Sequence, residues 1–75
     1  MYELRLNPRE KMAFVNVARY RLADRKMTIK DLAVQIGRPV NTVYGFFNSY
    51  QKKPNRFLAA EIARVLEMEP NDWRK

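Results

Sequence analysis

Gly37 and Pro39 stand two residues apart between two amphipathic segments, and that spacing constrains the chain more than any other feature. Glycine ends a helix readily because it enters the left-handed conformation without a Cβ clash. Proline suits the first turn of a helix, where no amide hydrogen is needed. A helix closing at Ile36 and another opening at Pro39 leave too little chain for an antiparallel reversal, so the two must cross at a steep angle. Strand signals are nearly absent, and Pro8, Pro39, Pro54 and Pro70 divide the chain at fairly even intervals. The expected fold class is therefore all-α, a compact bundle of four to five short helices with a short N-terminal extended segment.

Each helix has its own start signal. Asn7, Pro8 and Glu10 suit the opening of a first helix over 8–25, whose Phe14, Val15, Ala18 and Leu22 fall on one arc. Thr28 with Asp31 caps a second helix over 28–36, with Leu32, Ala33 and Ile36 as its apolar stripe. A third helix covers 39–48, where Val43, Phe46 and Phe47 share one arc and Val40, Asn41, Tyr44 and Gly45 the other. Ser49–Pro54 reads as a basic loop. Asn55 then caps a fourth helix over 55–67 carrying Leu58, Ile62, Val65 and Leu66, and Pro70 opens a short last turn over 70–74. Trp73 is expected to fold back over the core. In Met1–Leu6, Tyr2, Leu4 and Leu6 alternate with Glu3 and Arg5. Two readings fit that period of two: a tail packed on the helices, and a strand exchanged between copies in a homodimer.

Composition removes whole classes of function. A chain of 75 residues makes one domain, 1–75. It has no Cys and no His, so disulfides, thiolate chemistry and the usual zinc ligand sets are excluded, along with the commonest general base near neutral pH. Ser49 is its single serine, and the acids show no paired spacing, so neither an enzyme nor a cofactor or metal site is expected. The longest apolar runs, Met12–Val15 and Phe57–Ala60, are four residues, against about 20 for a membrane-spanning helix. No secretory signal pattern opens the chain, so a cytoplasmic binding module is the expected class. The formal charge is +7. Much of it lies on the first helix, in Arg19, Arg21, Arg25 and Lys26. That run reads as a solvated face, or as a surface attracted to nucleic acid or an acidic partner.

The stretch Thr28–Asn48, TIKDLAVQIGRPVNTVYGFFN, resembles the helix-turn-helix of the lambda-repressor, Cro and xenobiotic-response-element regulator family. Leu32, Ala33, Ile36, Gly37, Val43 and Phe46 take the family's apolar and turn positions. Asn48, the Lys52–Lys53–Pro54 turn and Ile62–Met68 follow its order. The resemblance implies a double-stranded DNA operator as partner, with the second helix of the pair in the major groove. Pro39, Val40, Asn41, Tyr44 and Gly45 would then face bases. Asn41 suits adenine, and Val40 a thymine methyl. Thr28, Lys30, Arg38, Lys52, Lys53, Asn55 and Arg56 would meet phosphates.

Two departures qualify this expectation. Arg38 follows the turn glycine, where the family usually has an aliphatic residue, and is expected to snorkel toward a phosphate. The reading surface also lacks the Arg, Lys and Gln that do most base recognition. An uncharged patch of Val40, Tyr44 and part of Phe47 suits a second function: a modulator of the phage-switch type that captures a partner repressor by its DNA-binding domain.

Overall fold

The structure, a computed structural model, describes residues 3–48 and 55–74. Asn7 turns an extended arm into α1 (Pro8–Asp24). The Glu10 amide donates to Asn7 Oδ1 at 2.7 Å, and the Asn7 amide donates to the Glu10 carboxylate at 3.2 Å. This reciprocal box satisfies two amides that would otherwise stay unpaired. Thr28 and Asp31 repeat it at the start of α2 (Ile29–Ile36), at 3.1 and 2.9 Å. At α4 (Arg56–Val65) Asn55 Oδ1 accepts from the amides of Phe57 and Leu58. Between them, α3 (Val40–Asn48) starts one residue later than its proline suggests. The Pro39 carbonyl accepts from the amides of Thr42 and Val43, so Pro39 precedes the helix. Proline tolerates both places because neither needs its amide to donate. Pro70–Trp73 forms α5.

Three helices end in the same way. After α1, Met27 N–H donates to Leu22 O at 2.8 Å and Lys26 N–H to Ala23 O at 3.1 Å. The same pair of bonds closes α2 around Gly37 (φ 72°) and α4 around Glu67 (φ 53°). This Schellman geometry requires one left-handed residue. Only α2 supplies a glycine; Lys26 (φ 55°) and Glu67 adopt the conformation with a Cβ. α4 closes at Val65 through left-handed Glu67, short of the expected 67, because no glycine marks the end in sequence. A left-handed non-glycine residue costs about 1–2 kcal/mol, and glycine returns about 0.5–1 kcal/mol of that as unfolded-chain entropy. Lys26→Gly is therefore expected to stabilise the domain by about 0.5–1 kcal/mol. A higher urea midpoint at unchanged slope is the measurement that checks it.

α2 packs against α3 and α4, and α5 packs on α1. Phe14, Leu32, Val43, Phe46, Leu58, Ile62 and Leu66 are fully buried between them. The Phe14 ring stands edge-on to Phe46 at 5.9 Å and to Trp73 at 4.9 Å, so Trp73 does fold back onto the core. Ile36, expected in the core, is only partly buried at its margin. Among the described residues there is no strand. The arm keeps its alternation all the same: Leu4 and Leu6 are buried, Glu3 and Arg5 exposed. Leu4 N–H donates to Arg56 O at 3.0 Å, which lays the arm along the start of α4. The bundle's radius of gyration, 11.1 Å, matches the roughly 11 Å expected of a folded chain of this length.

Candidate nucleic-acid interface

The turn at Gly37–Pro39 delivers α3 with Val43, Phe46 and Phe47 facing inward. What remains outside is the opposite arc. Pro39 and Asn41 are exposed, Tyr44 is 44% exposed, and Val40 and Gly45 are half-buried. The five residues expected to face bases thus lie together, Pro39 just ahead of α3 and the other four along its start and middle. Phe47 does not join them. It is only 5% exposed, with its ring against Phe46, so it cannot line a contact patch. Helical periodicity places it at the edge of the inward arc, and the ring's size draws it into the core.

Gly45 lowers the helix propensity of this segment by roughly 1 kcal/mol relative to alanine. Packing among the described residues does not require it: a Cβ built there would meet none of their atoms within 4 Å. The missing side chain leaves room on the outward arc for the backbone of α3 to approach another molecule closely.

The cations expected to flank this arc divide into two kinds. Lys30 is exposed in the first turn of α2, beside the Thr28 cap. Lys52 and Lys53 lie outside the described residues. Arg38 and Arg56 are already engaged. Arg38 does not snorkel into solvent: its Nε and one terminal nitrogen grip both oxygens of Glu61 at 2.9 and 3.1 Å. Arg56 Nε lies 3.1 Å from a Glu3 carboxylate oxygen, with its guanidinium over the Phe57 ring. Asn55 is occupied by its capping bonds.

The basic run on α1 has another destination. Arg21 donates to the carbonyls of Leu66 and Glu67 and to the Asp72 carboxylate, at 3.1–3.2 Å. Arg25 donates to Val65 O, Leu66 O and the Glu67 carboxylate. These carbonyls close α4, where a helix leaves acceptors unsatisfied and carries the negative end of its dipole. Arg19 donates to Asn48 Oδ1 at 2.7 Å and lies over Phe47. Solvated charge was the wrong picture for Arg21 and Arg25, which tie α1 to the end of α4. The pairing links residues 40 or more positions apart, beyond the reach of any local sequence signal.

Three carboxylates are held below their ordinary range. Glu61 is lowered mainly by its hydrogen bonds from Arg38, which is itself raised by the same pair. Glu10 is lowered first by the Asn7 amide and then by Arg74, and Asp31 by the Thr28 amide. Burial instead lowers Lys11, whose ammonium lies 5.2 Å from the Phe46 ring centre. A carboxyl with a depressed folded pKa contributes stability above its unfolded pKa and loses it as pH falls through the folded one. Stability is therefore expected to stay level from pH 7 to about 5 and to decline steadily below. Urea midpoints across that range, flat or rising toward pH 3, would contradict the pairing.

Among the described residues no helix is long and apolar enough to cross a membrane. No family model, curated protein or solved structure matches the chain, so its own residues carry the functional reading.

Proposed function

We propose that the chain is a sequence-specific DNA-binding transcriptional regulator of the phage-switch type, with a double-stranded operator as its partner and the start of α3 as its reading element. The observation that carries the reading is the outward arc of α3. Exposed Asn41, exposed Pro39 and part-exposed Tyr44 stand together beside a glycine that packing among the described residues does not demand. An asparagine amide can pair with adenine through two hydrogen bonds, and glycine lets the helix backbone lie close to the groove wall. Lys30 and the start of α2 would hold phosphate on one flank. The resemblance of Thr28–Asn48 to repressor helix-turn-helix segments supports the same assignment.

Selection of bound duplexes from a random pool at about 150 mM salt tests it, because phosphate contacts alone hold weakly there. An enriched motif is expected, and its symmetry would report the number of copies bound. Asn41→Ala is then expected to cost about 1–3 kcal/mol on that motif and to relax selection at one base pair. An unchanged footprint would remove Asn41 from the reading.

A second reading has its own support. Tyr44, 44% exposed, and half-buried Val40 are uncharged side chains on the outward arc of α3, and that arc bears no charge. That surface suits capture of a partner repressor's DNA-binding domain. Folded protein that enriches no duplex would favour it.

A further inference from the structure

Both arginines expected to meet phosphate within the described residues hold a carboxylate instead. The acids come from outside the helix pair. Glu61 lies in α4, and Glu3 lies on the arm that Leu4 and Leu6 anchor to the bundle. Glu3 bridges two guanidiniums, Arg56 at 3.1 Å and Arg5 at 3.2 Å. Glu61 meets Arg38 through two bonds, the geometry a phosphate would use. These pairs differ from those of Arg21 and Arg25, whose guanidiniums are also spent on backbone carbonyls. Among the described residues, only a carboxylate holds the Arg38 and Arg56 side chains in polar contact. Those side chains are 33% and 47% exposed, their acids 40% and 37%, so an incoming anion can reach both pairs.

We propose that Glu3 and Glu61 restrain DNA binding: each carboxylate occupies a guanidinium that a DNA phosphate would otherwise take, and so holds down the backbone-driven affinity for any duplex. The proposal rests on the DNA-binding reading of α3. On random DNA the protein has only phosphate contacts to gain, and each of these two must first displace an internal acid. On an operator the base contacts of α3 offset that displacement. The acids therefore cost similar affinity on either sequence, and an operator stays bound because its base contacts are added on top. Glu3 and Glu61 touch no DNA in this scheme; they act through Arg56 and Arg38.

The test uses the full chain and a short fluorescent duplex of random sequence, titrated between about 50 and 200 mM salt. Glu3→Gln and Glu61→Gln remove the charge and keep the side-chain shape. Each is expected to bind the random duplex about 3- to 10-fold more tightly near 100 mM salt, with the slope of log affinity against log salt steeper by about 0.9. Affinity for a selected operator should rise by a similar factor, which leaves the preference for it unchanged. In a background with both Arg5 and Arg56 replaced by Gln, most of the gain from Glu3→Gln should vanish, which a merely structural role for Glu3 would not produce. Circular dichroism reports whether each variant is folded; should Glu61→Gln unfold, the Glu3 and Arg56 variants decide alone. Folded variants with wild-type slopes and affinities on random DNA overturn the proposal, while an operator motif selected by the wild type would leave the DNA-binding reading standing. If neither wild type nor variants bind any duplex, both fall.

Discussion

Phe14→Ala is expected to destabilise the domain by about 3–5 kcal/mol, among the largest effects of any single truncation in it. Phe14 has no exposed surface, and its ring lies edge-on to both Phe46 and Trp73. Removing it takes away the transfer free energy of a phenyl group and leaves a cavity between α1, α3 and α5. Those three elements meet through the ring, so they cannot close the gap without shifting their own contacts. A domain of this length has a total stability of only about 4–11 kcal/mol, so the variant would be marginal or unfolded at room temperature. Urea unfolding gives the magnitude, and the near-ultraviolet signal of Trp73 reports loss of the ring contact. Phe14→Leu should recover most of the loss. A cost for Phe14→Ala below about 1 kcal/mol would mean that the site collapses freely, contrary to the packing. Loss of DNA binding in this variant would carry no information about the reading surface.

Replacing Arg21 and Arg25 together by Met is expected to cost about 2–4 kcal/mol. Hydrogen bonds from a charged donor are each worth about 1.5–3 kcal/mol when an acceptor is left unsatisfied. Both arginines are one-third exposed, so water replaces part of what is lost and the sum falls well below the number of bonds. Met keeps the aliphatic stem and isolates the guanidinium's part. The loss should be local at first. The Arg21–Asp72 pair holds α5, and the carbonyls of Val65, Leu66 and Glu67 lose their donors together. Amide exchange at residues 66–73 should therefore quicken more than exchange in α2 or α3. Uniform quickening over the whole domain would show that these arginines act on global stability alone. Unchanged exchange at both ends would show that they are the solvated charges their sequence suggests.

The contrast between those two sites shows what could be read in advance. Phe14 announces itself by periodicity: it shares an arc with Val15, Ala18 and Leu22, and that arc is the buried face of α1. Asn7, Thr28 and Asn55 announce the helix starts because a cap acts on amides two or three residues away. Gly37 announces the turn because its left-handed backbone favours one residue type. Where the same backbone is built with Lys26 and Glu67, the helix ends are blurred in sequence, since nothing in a Lys or a Glu marks them.

The arc of α3 stands between these cases. Its outward residues follow from periodicity, yet the depth of Phe47 and the open space beside Gly45 depend on what packs next to the helix. The charges lie furthest from local prediction. Arg38 and Glu61 are 23 residues apart, and Arg21 and Asp72 are 51 apart. An arginine's long stem can reach several acids or solvent at similar cost, so its partner is decided by which elements the core brings side by side. The sequence by itself determined the all-helical class, the helix starts, the buried stripes and the tight turn before α3, because each rests on interactions within a few residues. The tertiary structure alone decided which cations are free and which are spent, because that depends on contacts created only when the stripes have packed.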